Sequence, residues 1–220
     1  GGVPGRCAID QAIQTVNEHD YLYMTLTSGA IQFNDAKACY DRLIEPQTNI
    51  ALQALGCPPD ILQLHSNVLQ QIKYYVKTTN GVSSEYSTYS LSPFWGAGQG
   101  ACDASARCTA TSSTMFLAYD KISKPFLAHD PQHNTTLTIR IGAFVDDAKI
   151  SVNFPHLTPI DEITRIVTHN ATKWEQLLWA TGGKLEIDKC NIYIITWIYD
   201  KDGKYKIKST TNFPFRILIK

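Results

Sequence analysis

The segment Thr136–Phe154, with the sequence TLTIRIGAFVDDAKISVNF, carries the pattern that decides the fold. Apolar residues alternate with others as far as Val145, as they do in a strand with one buried face. The alternation stops at Asp146 and Asp147 and resumes with Ile150, so the segment predicts a β-hairpin with two aspartates at its tip. Aspartates are common in turns, and a turn that faces solvent explains this pair by itself.

A second predicted strand also ends in an aspartate. The stretch Met24–Phe33 is rich in β-branched residues and is followed by Asn34 and Asp35, after which a short helix is expected over Ala36–Leu43. Two strands that end in carboxylates could converge on a divalent cation, because Mg²⁺ takes one or two protein carboxylates together with substrate phosphates. A helix N-cap is the alternative explanation for Asp35.

The remaining sequence mixes helical and hairpin patterns. Asn80-Gly81 predicts a tight hairpin, since both residue types tolerate positive φ. Helices and antiparallel hairpins that interleave in this way predict an α+β domain with helices packed on a sheet. Apolar residues at helical spacing predict four further helices, over Cys7–Val16, from Pro59 onward, over Ala101–Phe116 and over Thr158–Leu178. In the helix from Pro59, Ile61, Leu64 and Val68 share one face. Two further strands are predicted over Asn191–Tyr199 and Lys204–Ile207.

Composition and charge exclude some classes of protein. The chain has 220 residues, 44% of them apolar and 18% charged, which excludes a disordered tail. Its 20 basic and 20 acidic side chains balance, which argues against a polybasic nucleic-acid binder. The balance conceals two opposed parts: residues 1–148 carry 9 basic and 13 acidic groups, a net charge of −4, and residues 149–220 carry 11 and 7, a net charge of +4.

The cysteines and the ends of the chain bear on its location. The six cysteines form no CxxC pair, so we expect reduced thiols and an intracellular protein, in either nucleus or cytoplasm. No apolar run approaches the roughly 20 residues that span a bilayer, and we expect no membrane partner. The start of the chain carries no initiator methionine or signal-peptide pattern, and we expect a segment of a longer protein.

A glycine-rich segment offers a competing interpretation. Trp95–Ala101 fits the dinucleotide-binding pattern G-x-G-x-x-A, and Asp120 follows at the distance of a ribose-binding acid. That fingerprint requires an apolar strand that runs directly into the first glycine, whereas Ser90–Pro93 intervenes here. We therefore reject a dinucleotide site.

Five segments resemble, in the same order along the chain, the motifs of reverse transcriptases of the non-LTR retrotransposon type. Together they cover nearly the whole chain, and the ordered set is far more specific than any single motif. They are Gly5–Asp10 (the fingers segment before motif A), Phe33–Arg42 (motif A), Gly98–Gly100 with the small-residue helix after it (motif B), Ala143–Asp147 (motif C), and Gly182–Leu185 with Lys189 and Cys190 (motif D).

The resemblance implies a fold and a domain arrangement. The expected fold is an α+β polymerase palm with an antiparallel sheet and packed helices, plus part of the fingers. Residues 1–28 and roughly 48–95 would form fingers and palm segments, 29–47 and 96–199 the palm, and 200–220 the start of the region that leads to the thumb.

The resemblance also implies residue roles. Asp35 and Asp146 would bind two catalytic Mg²⁺ ions, or Mn²⁺ in their place, and Asp147 would support them. Lys189 would lie near the pyrophosphate and donate a proton, although an ordinary solvated lysine is the alternative. Tyr40 would exclude the 2′-hydroxyl of an incoming nucleotide as a steric gate, although a tyrosine packed in the core fits equally well.

Three further residues would contact substrate. Gln99 and Gly100 would shape the pocket for the nascent base pair, and Arg6 would touch the triphosphate. The sequence departs from the family pattern after motif B, where Cys102 and Asp103 stand in place of the usual small residues and proline.

The implied activity is RNA-directed DNA polymerisation, with an RNA template, a DNA primer and deoxynucleoside triphosphates as partners. A catalytically inactive or domesticated reverse-transcriptase-like domain that binds nucleic acid or a protein partner is the alternative. An RNA-dependent RNA polymerase fits less well, because a site that accepts ribose would not place a tyrosine at position 40.

Overall fold

The computed structural model describes residues 7–37, 39–86, 96, 101–144 and 147–208. In chain order the elements are α1 (Ala8–Thr25), β1 (Ser28–Asp35), α2 (Cys39–Arg42), α3 (Glu45–Ala54), α4 (Pro59–Gln70), β2 (Lys77–Thr78), β3 (Gly81–Val82), α5 (Ala104–Ile122), β4 (Phe126–Asp130), β5 (Thr135–Ile139), β6 (Ile141–Phe144), β7 (Asp147–Phe154), α6 (Ile160–Ala180), a 3₁₀ turn (Ile187–Lys189), β8 (Asn191–Ile195), β9 (Trp197–Tyr199) and β10 (Tyr205–Ile207).

The chain divides into two compact units. The first comprises Gly1–Lys37 together with Met115–Lys220, and the second comprises Ala38–Thr114. The first unit contains the main sheet and the helices α1 and α6. Mixed helices and antiparallel strands confirm the α+β class, whereas the partition into fingers, palm and thumb-proximal segments stays a prediction.

The main sheet has four antiparallel strands in the order β6-β7-β1-β8. Strands β1 and β7 pair along their full length, from Ser28 opposite Phe154 to Asp35 opposite Asp147. Strands β6 and β7 form the predicted hairpin, with Phe144 opposite Asp147 at its tip. The sheet thus places Asp35, in the segment that resembles motif A, beside Asp147, in the segment that resembles motif C.

One face of this sheet packs on α6. Ala30, Val152 and Phe154 bury their side chains against Ile163 and Val167 of the helix. Each of these residues is at most 2% exposed, so this layer forms a dry apolar core. The predicted amphipathic pattern of α6 is confirmed by this burial, which supplies most of its stabilisation.

The opposite face is held to α1 by a buried ion pair. Lys149 Nζ lies 2.7 Å from Glu18 Oε1, and the two side chains are only 5% and 1% exposed. Ser151 donates a hydrogen bond to the other oxygen of Glu18, and Gln14 donates one to Oε1. Burial lowers the pKa of Lys149 below its ordinary value, while the contact with Glu18 opposes that shift.

The second unit is organised around a buried arginine. Arg107 and Glu45 are each 4% exposed, with Nη2 and Oε1 3.9 Å apart. Arg107 also lies 3.1 Å from His65 Nδ1, and His65 Nε2 lies 2.7 Å from Asp103. Because an arginine only donates hydrogen bonds, His65 accepts at Nδ1 and carries its proton at Nε2 toward Asp103. Asp103, the departure from motif B, therefore has a structural partner.

Some elements differ from the sequence prediction. Helix α1 extends to Thr25, so β1 begins at Ser28 rather than at Met24. The predicted strand that ends at Val145 is divided at Arg140, because β5 pairs with β4 in a separate two-stranded sheet. Alternation identifies extended chain but not the sheet to which it belongs, so the sequence does not reveal this break.

Helix α4 begins at the predicted proline, but its apolar face is not buried. Ile61, Leu64 and Val68 are each more than half exposed, and Leu62 is buried instead. The helix contacts α3 partly through polar atoms, since Ser66 donates a hydrogen bond of 2.6 Å to Glu45. Helix α6 begins at Ile160 rather than at Thr158, whose hydroxyl donates to the carbonyl of Pro155.

Within the described ranges, none of the helices combines the length and the apolar character needed to cross a membrane.

The buried ion pair makes a prediction about stability. Glu18→Ala should lower the free energy of unfolding by about 3–5 kcal/mol, because it leaves the Lys149 ammonium buried without its counterion. Chemical denaturation measures this loss. Asp20→Ala is the matched control on the same helix, since Asp20 is exposed, and it should change stability by less than about 0.5 kcal/mol.

A double replacement refines the prediction. Glu18→Met combined with Lys149→Met should recover most of the lost stability, because two apolar side chains of similar length remove both buried charges. A double variant as unstable as Glu18→Ala would contradict the assignment of the loss to an unpaired charge.

Candidate active site at the acidic edge of the sheet

Two predicted site residues meet at one edge of the main sheet. Asp35 is the last residue of β1, and Asp147 is the first residue of β7, directly opposite it. Opposed residues of an antiparallel pair have Cβ atoms about 4.5–5.5 Å apart, and like charges in this position repel. The edge therefore concentrates negative charge and favours a cation.

Lys189 supplies one cation at this edge. Its Nζ lies 3.2 Å from Asp35 Oδ2, and the two side chains are 66% and 25% exposed. Asp35 is therefore the last residue of a strand and a partner of Lys189, not the N-cap of a helix, since α2 begins only at Cys39. An ion pair as exposed as this one is screened by water and exchanges partners easily.

Backbone pairing fixes the segment that carries Lys189. Ala36 forms an antiparallel bridge with Leu185. The amide of Lys37 donates to the carbonyl of Lys184 at 2.7 Å, and the amide of Glu186 donates to the carbonyl of Asp35 at 2.9 Å. Since Leu185 is only 2% exposed, motif D is anchored to the end of motif A by its backbone and one buried leucine.

The thiol next to Lys189 belongs to the same edge. Cys190 donates a hydrogen bond to the carbonyl of Glu186, and burial raises the pKa of its thiol above the ordinary value. The nearby carboxylates of Asp35 and Glu175 raise that pKa as well, although a backbone hydrogen bond from Asp35 opposes the shift. The group is a neutral thiol and packs as a small apolar side chain.

The other predicted site residues are distributed differently. Tyr40 lies on α2 in the second unit, where it is partly buried against Leu43, Ala104 and Cys108. Its ring thus contacts an apolar cluster, and its role as a steric gate stays a prediction. The residues Asp146, Gln99, Gly100 and Arg6 lie outside the described part of the chain.

The donor set fits a hard divalent cation. Asp35 and Asp147 provide carboxylate oxygens on opposed strands, and Asp146 precedes Asp147 in sequence. Oxygen ligands of this kind suit Mg²⁺ or Mn²⁺ and not a thiophilic metal. Among the described residues, no group of three or more histidine, cysteine or acidic side chains is arranged to hold a metal ion.

Sequence reasoning missed the buried contacts that support this edge. Lys149 and Ser151 share a face of β7 with Asp147, and Glu18 of α1 binds both of them. No local signal was present, because Lys149 lies on the polar side of a strand that alternates polar and apolar residues, and such alternation assigns that side to solvent. The carboxylate that accompanies its burial lies 131 residues away in sequence.

The exposure of Lys189 predicts a small structural contribution. Lys189→Ala should change the free energy of unfolding by less than about 1 kcal/mol, because its ion pair is open to solvent. Leu185→Ala, four residues earlier, should cost about 2–5 kcal/mol, since it empties a fully buried site. Denaturant titration compares the two variants, and equal losses would mean that Lys189 is a structural residue.

The fold matches solved structures of telomerase. The structure of telomerase from Candida tropicalis in complex with the TWJ fragment of telomeric RNA superposes with a TM-score of 0.55 at 14% identity, over 86% of this chain and 30% of that chain. The structure of the apo enzyme from the same organism, truncated from its C-terminal domain, gives 0.54 at 14% identity, over 86% of this chain and 35% of that one.

The chain thus spans about a third of the length of these telomerases. No protein-family model and no curated protein matches the sequence. At such low identity the likeness concerns the fold alone. The chain has an α+β fold similar to that of these telomerase structures.

Proposed function

We propose that this chain is the central part of an RNA-directed DNA polymerase, of the non-LTR retrotransposon type. One observation carries the proposal: Asp35 and Asp147 stand opposite each other on paired strands, and Lys189 lies 3.2 Å from Asp35. Three motifs that are far apart in sequence thereby meet at one edge. The telomerase-like fold supports the same class of enzyme.

The proposed reaction is nucleotidyl transfer. The primer 3′-hydroxyl attacks the α-phosphate of a deoxynucleoside triphosphate in line with the leaving pyrophosphate, and one P–O bond forms as another breaks. Asp35 and Asp146 would hold two Mg²⁺ ions, and Asp147 would support them. When bound, these ions supply activation of the attacking oxygen and charge stabilisation of the leaving group.

Lys189 has a separate role in this proposal. Its ammonium neutralises Asp35 in the free protein, where the pair keeps two like-charged carboxylates compatible with folding. Because its side chain is two-thirds exposed, it is able to turn toward an incoming triphosphate once Asp35 has another cation. There it contacts the pyrophosphate and donates a proton to it.

The proposed partners are an RNA template, a DNA primer and deoxynucleoside triphosphates, in an intracellular setting. A telomerase of this fold has been solved with a fragment of telomeric RNA, which supports RNA as a partner. Mn²⁺ is expected to replace Mg²⁺ at the acidic edge, because both take oxygen ligands.

Removing the proposed metal ligands tests the activity. Asp146→Asn and Asp35→Asn should each reduce primer extension on an RNA template to below about a thousandth, because transition-state charge loses its stabilisation. Extension of a labelled primer with Mg²⁺, followed on a gel, measures the effect. Asp20→Asn is the control for a lost carboxylate, and it should leave extension unchanged. Asp146→Asn protein that still extends primers would overturn the proposal.

The same assay addresses the alternative function. If the unmodified chain binds a primer–template in a gel shift but never extends it, the chain is a nucleic-acid-binding domain that lacks catalysis.

The steric-gate assignment has its own test. Tyr40→Ala should raise the use of ribonucleotides relative to deoxynucleotides by roughly 10- to 100-fold, since it removes the ring that excludes a 2′-hydroxyl. Tyr40→Phe keeps the ring and should keep the selectivity. Competition between labelled nucleotides measures the ratio, and an unchanged ratio in Tyr40→Ala would reject the gate.

A further inference from the structure

A cavity of about 410 Å³ lies at the junction of β5 and β6, away from the acidic edge. Its polar lining comes from Arg140 at the strand junction, Asp120 on α5, Gln14 on α1 and Thr138 on β5, and the rest is apolar. Volumes of this size accommodate a small molecule or one nucleotide of a strand. All of these residues belong to the first unit.

Arg140 has no partner within the described part of the chain. Its Nε is buried without a hydrogen bond, and no ion pair of the guanidinium is formed among those residues. The buried Nε is itself out of reach of a ligand, but the terminal nitrogens of the guanidinium make no hydrogen bond or ion pair with a described residue. In a side chain that lines a cavity, these nitrogens can donate to an external acceptor. Arginine binds phosphate and carboxylate groups in preference to neutral acceptors.

The cavity also contains hydrogen-bond acceptors, which a simple anion without donor groups would not use. The carboxylate of Asp120 makes no ion pair with a described residue, although Arg140 lines the same cavity. The amide nitrogen of Gln14 donates a hydrogen bond of 2.8 Å to Glu18, and its side-chain carbonyl oxygen can accept one from a ligand. A matching ligand therefore combines one anionic group with at least one hydroxyl or amino donor.

A ribonucleotide within an RNA strand has this combination. Its phosphate accepts from a guanidinium, and its 2′-hydroxyl donates to a carboxylate or an amide oxygen. A deoxyribonucleotide keeps the phosphate and lacks the hydroxyl, so only the first contact remains.

The position of the cavity fits a strand that also reaches the acidic edge. Arg140 directly precedes β6, and Phe144 at the end of β6 lies opposite Asp147. Four residues of strand span about 13 Å. A nucleic-acid strand advances about 3.4 Å per nucleotide, so the cavity lies roughly four nucleotides from the acidic edge.

We propose that this cavity is a subsite for the RNA template, in which Arg140 binds a backbone phosphate and Asp120 accepts a hydrogen bond from the adjacent 2′-hydroxyl. This inference rests on the proposed polymerase function, and it adds a physical basis for choosing RNA over DNA as the template. Gln14 holds the second acceptor at the same wall of the cavity.

Binding of labelled single strands without divalent metal tests the subsite, because no extension takes place. Arg140→Gln should weaken RNA binding roughly tenfold in fluorescence anisotropy, through loss of a charge-assisted contact. It should also reduce the slope of log affinity against log salt by about 0.7, the contribution of one phosphate in a single strand. Arg165→Gln removes the same charge from an exposed site on α6 and should do neither.

Asp120→Asn probes the hydroxyl contact separately. The ratio of RNA affinity to DNA affinity for one sequence should fall roughly 3- to 10-fold, because only RNA exchanges a hydrogen bond to a charged carboxylate for a weaker one to a neutral amide oxygen. The ratio is informative even though removal of a negative charge strengthens binding of both strands. A ratio that does not change would overturn the assignment of Asp120.

A stability measurement separates this role from a structural one. Arg140→Leu should keep or raise the melting temperature while it weakens RNA binding, since no partner is lost and an unpaired buried nitrogen is removed. A lowered melting temperature would make Arg140 a structural residue and contradict the subsite.

The outcomes also distinguish the subsite from the polymerase. Extension by the wild-type chain together with unaltered RNA binding by Arg140→Gln would overturn the subsite alone. RNA binding that depends on Arg140 without any extension would support the subsite and reject the polymerase. Absence of RNA binding by the wild-type chain would overturn the subsite whatever the extension assay shows.

Discussion

The antiparallel register between β1 and β7 is the constraint on which the rest of the structure depends. It sets Asp35 opposite Asp147, and it brings the tip of the β6–β7 hairpin to the same edge. Because side chains alternate between faces, a shift of one residue would turn every side chain of one strand to the wrong face. The acidic edge would then lose its paired carboxylates, and the core against α6 would lose Val152. The fold and the candidate site are thus fixed by the same set of backbone hydrogen bonds.

The two faces of the sheet enforce this register by different means. Toward α6 the contacts are apolar and tolerate exchange of one aliphatic residue for another. Toward α1 the contact between Glu18 and Lys149 is specific, because a slipped strand would bury the Lys149 ammonium in the apolar layer without a counterion. A buried ion pair of this kind is a weak source of net stability, but it discriminates strongly between one register and the next. Lys149 lies two residues after Asp147, so the pair fixes the register of β7 close to the acidic edge.

Local patterns in the sequence predicted the elements better than their partners. The hairpin around Asp146 and Asp147 and the buried face of α6 follow from periods of two and 3.6 residues, which are local properties. The break at Arg140, the pairing of Glu18 with Lys149 and the contact of Lys189 with Asp35 all join distant segments. No periodicity encodes such pairings. The resemblance to a polymerase family predicted a place for Lys189 near the pyrophosphate, and that role stays a prediction beside the observed contact with Asp35.

The acidic edge and the buried ion pair differ in how their charges are solvated. Carboxylates placed directly opposite each other repel, and the lysine beside Asp35 is exposed to water. A site selected for stability would bury its ion pair. Glu18 and Lys149 form such a pair, and each side chain is at most 5% exposed. Lys189 is instead held by backbone hydrogen bonds around Leu185, while its charged end stays in water. The backbone of this segment is fixed, and the Lys189 ammonium is exposed to solvent. The two arginines differ in a comparable way. The terminal nitrogens of Arg107 lie against Glu45 and His65, whereas Arg140 makes no hydrogen bond or ion pair with a described residue, although the Nε atom of both is buried without a partner.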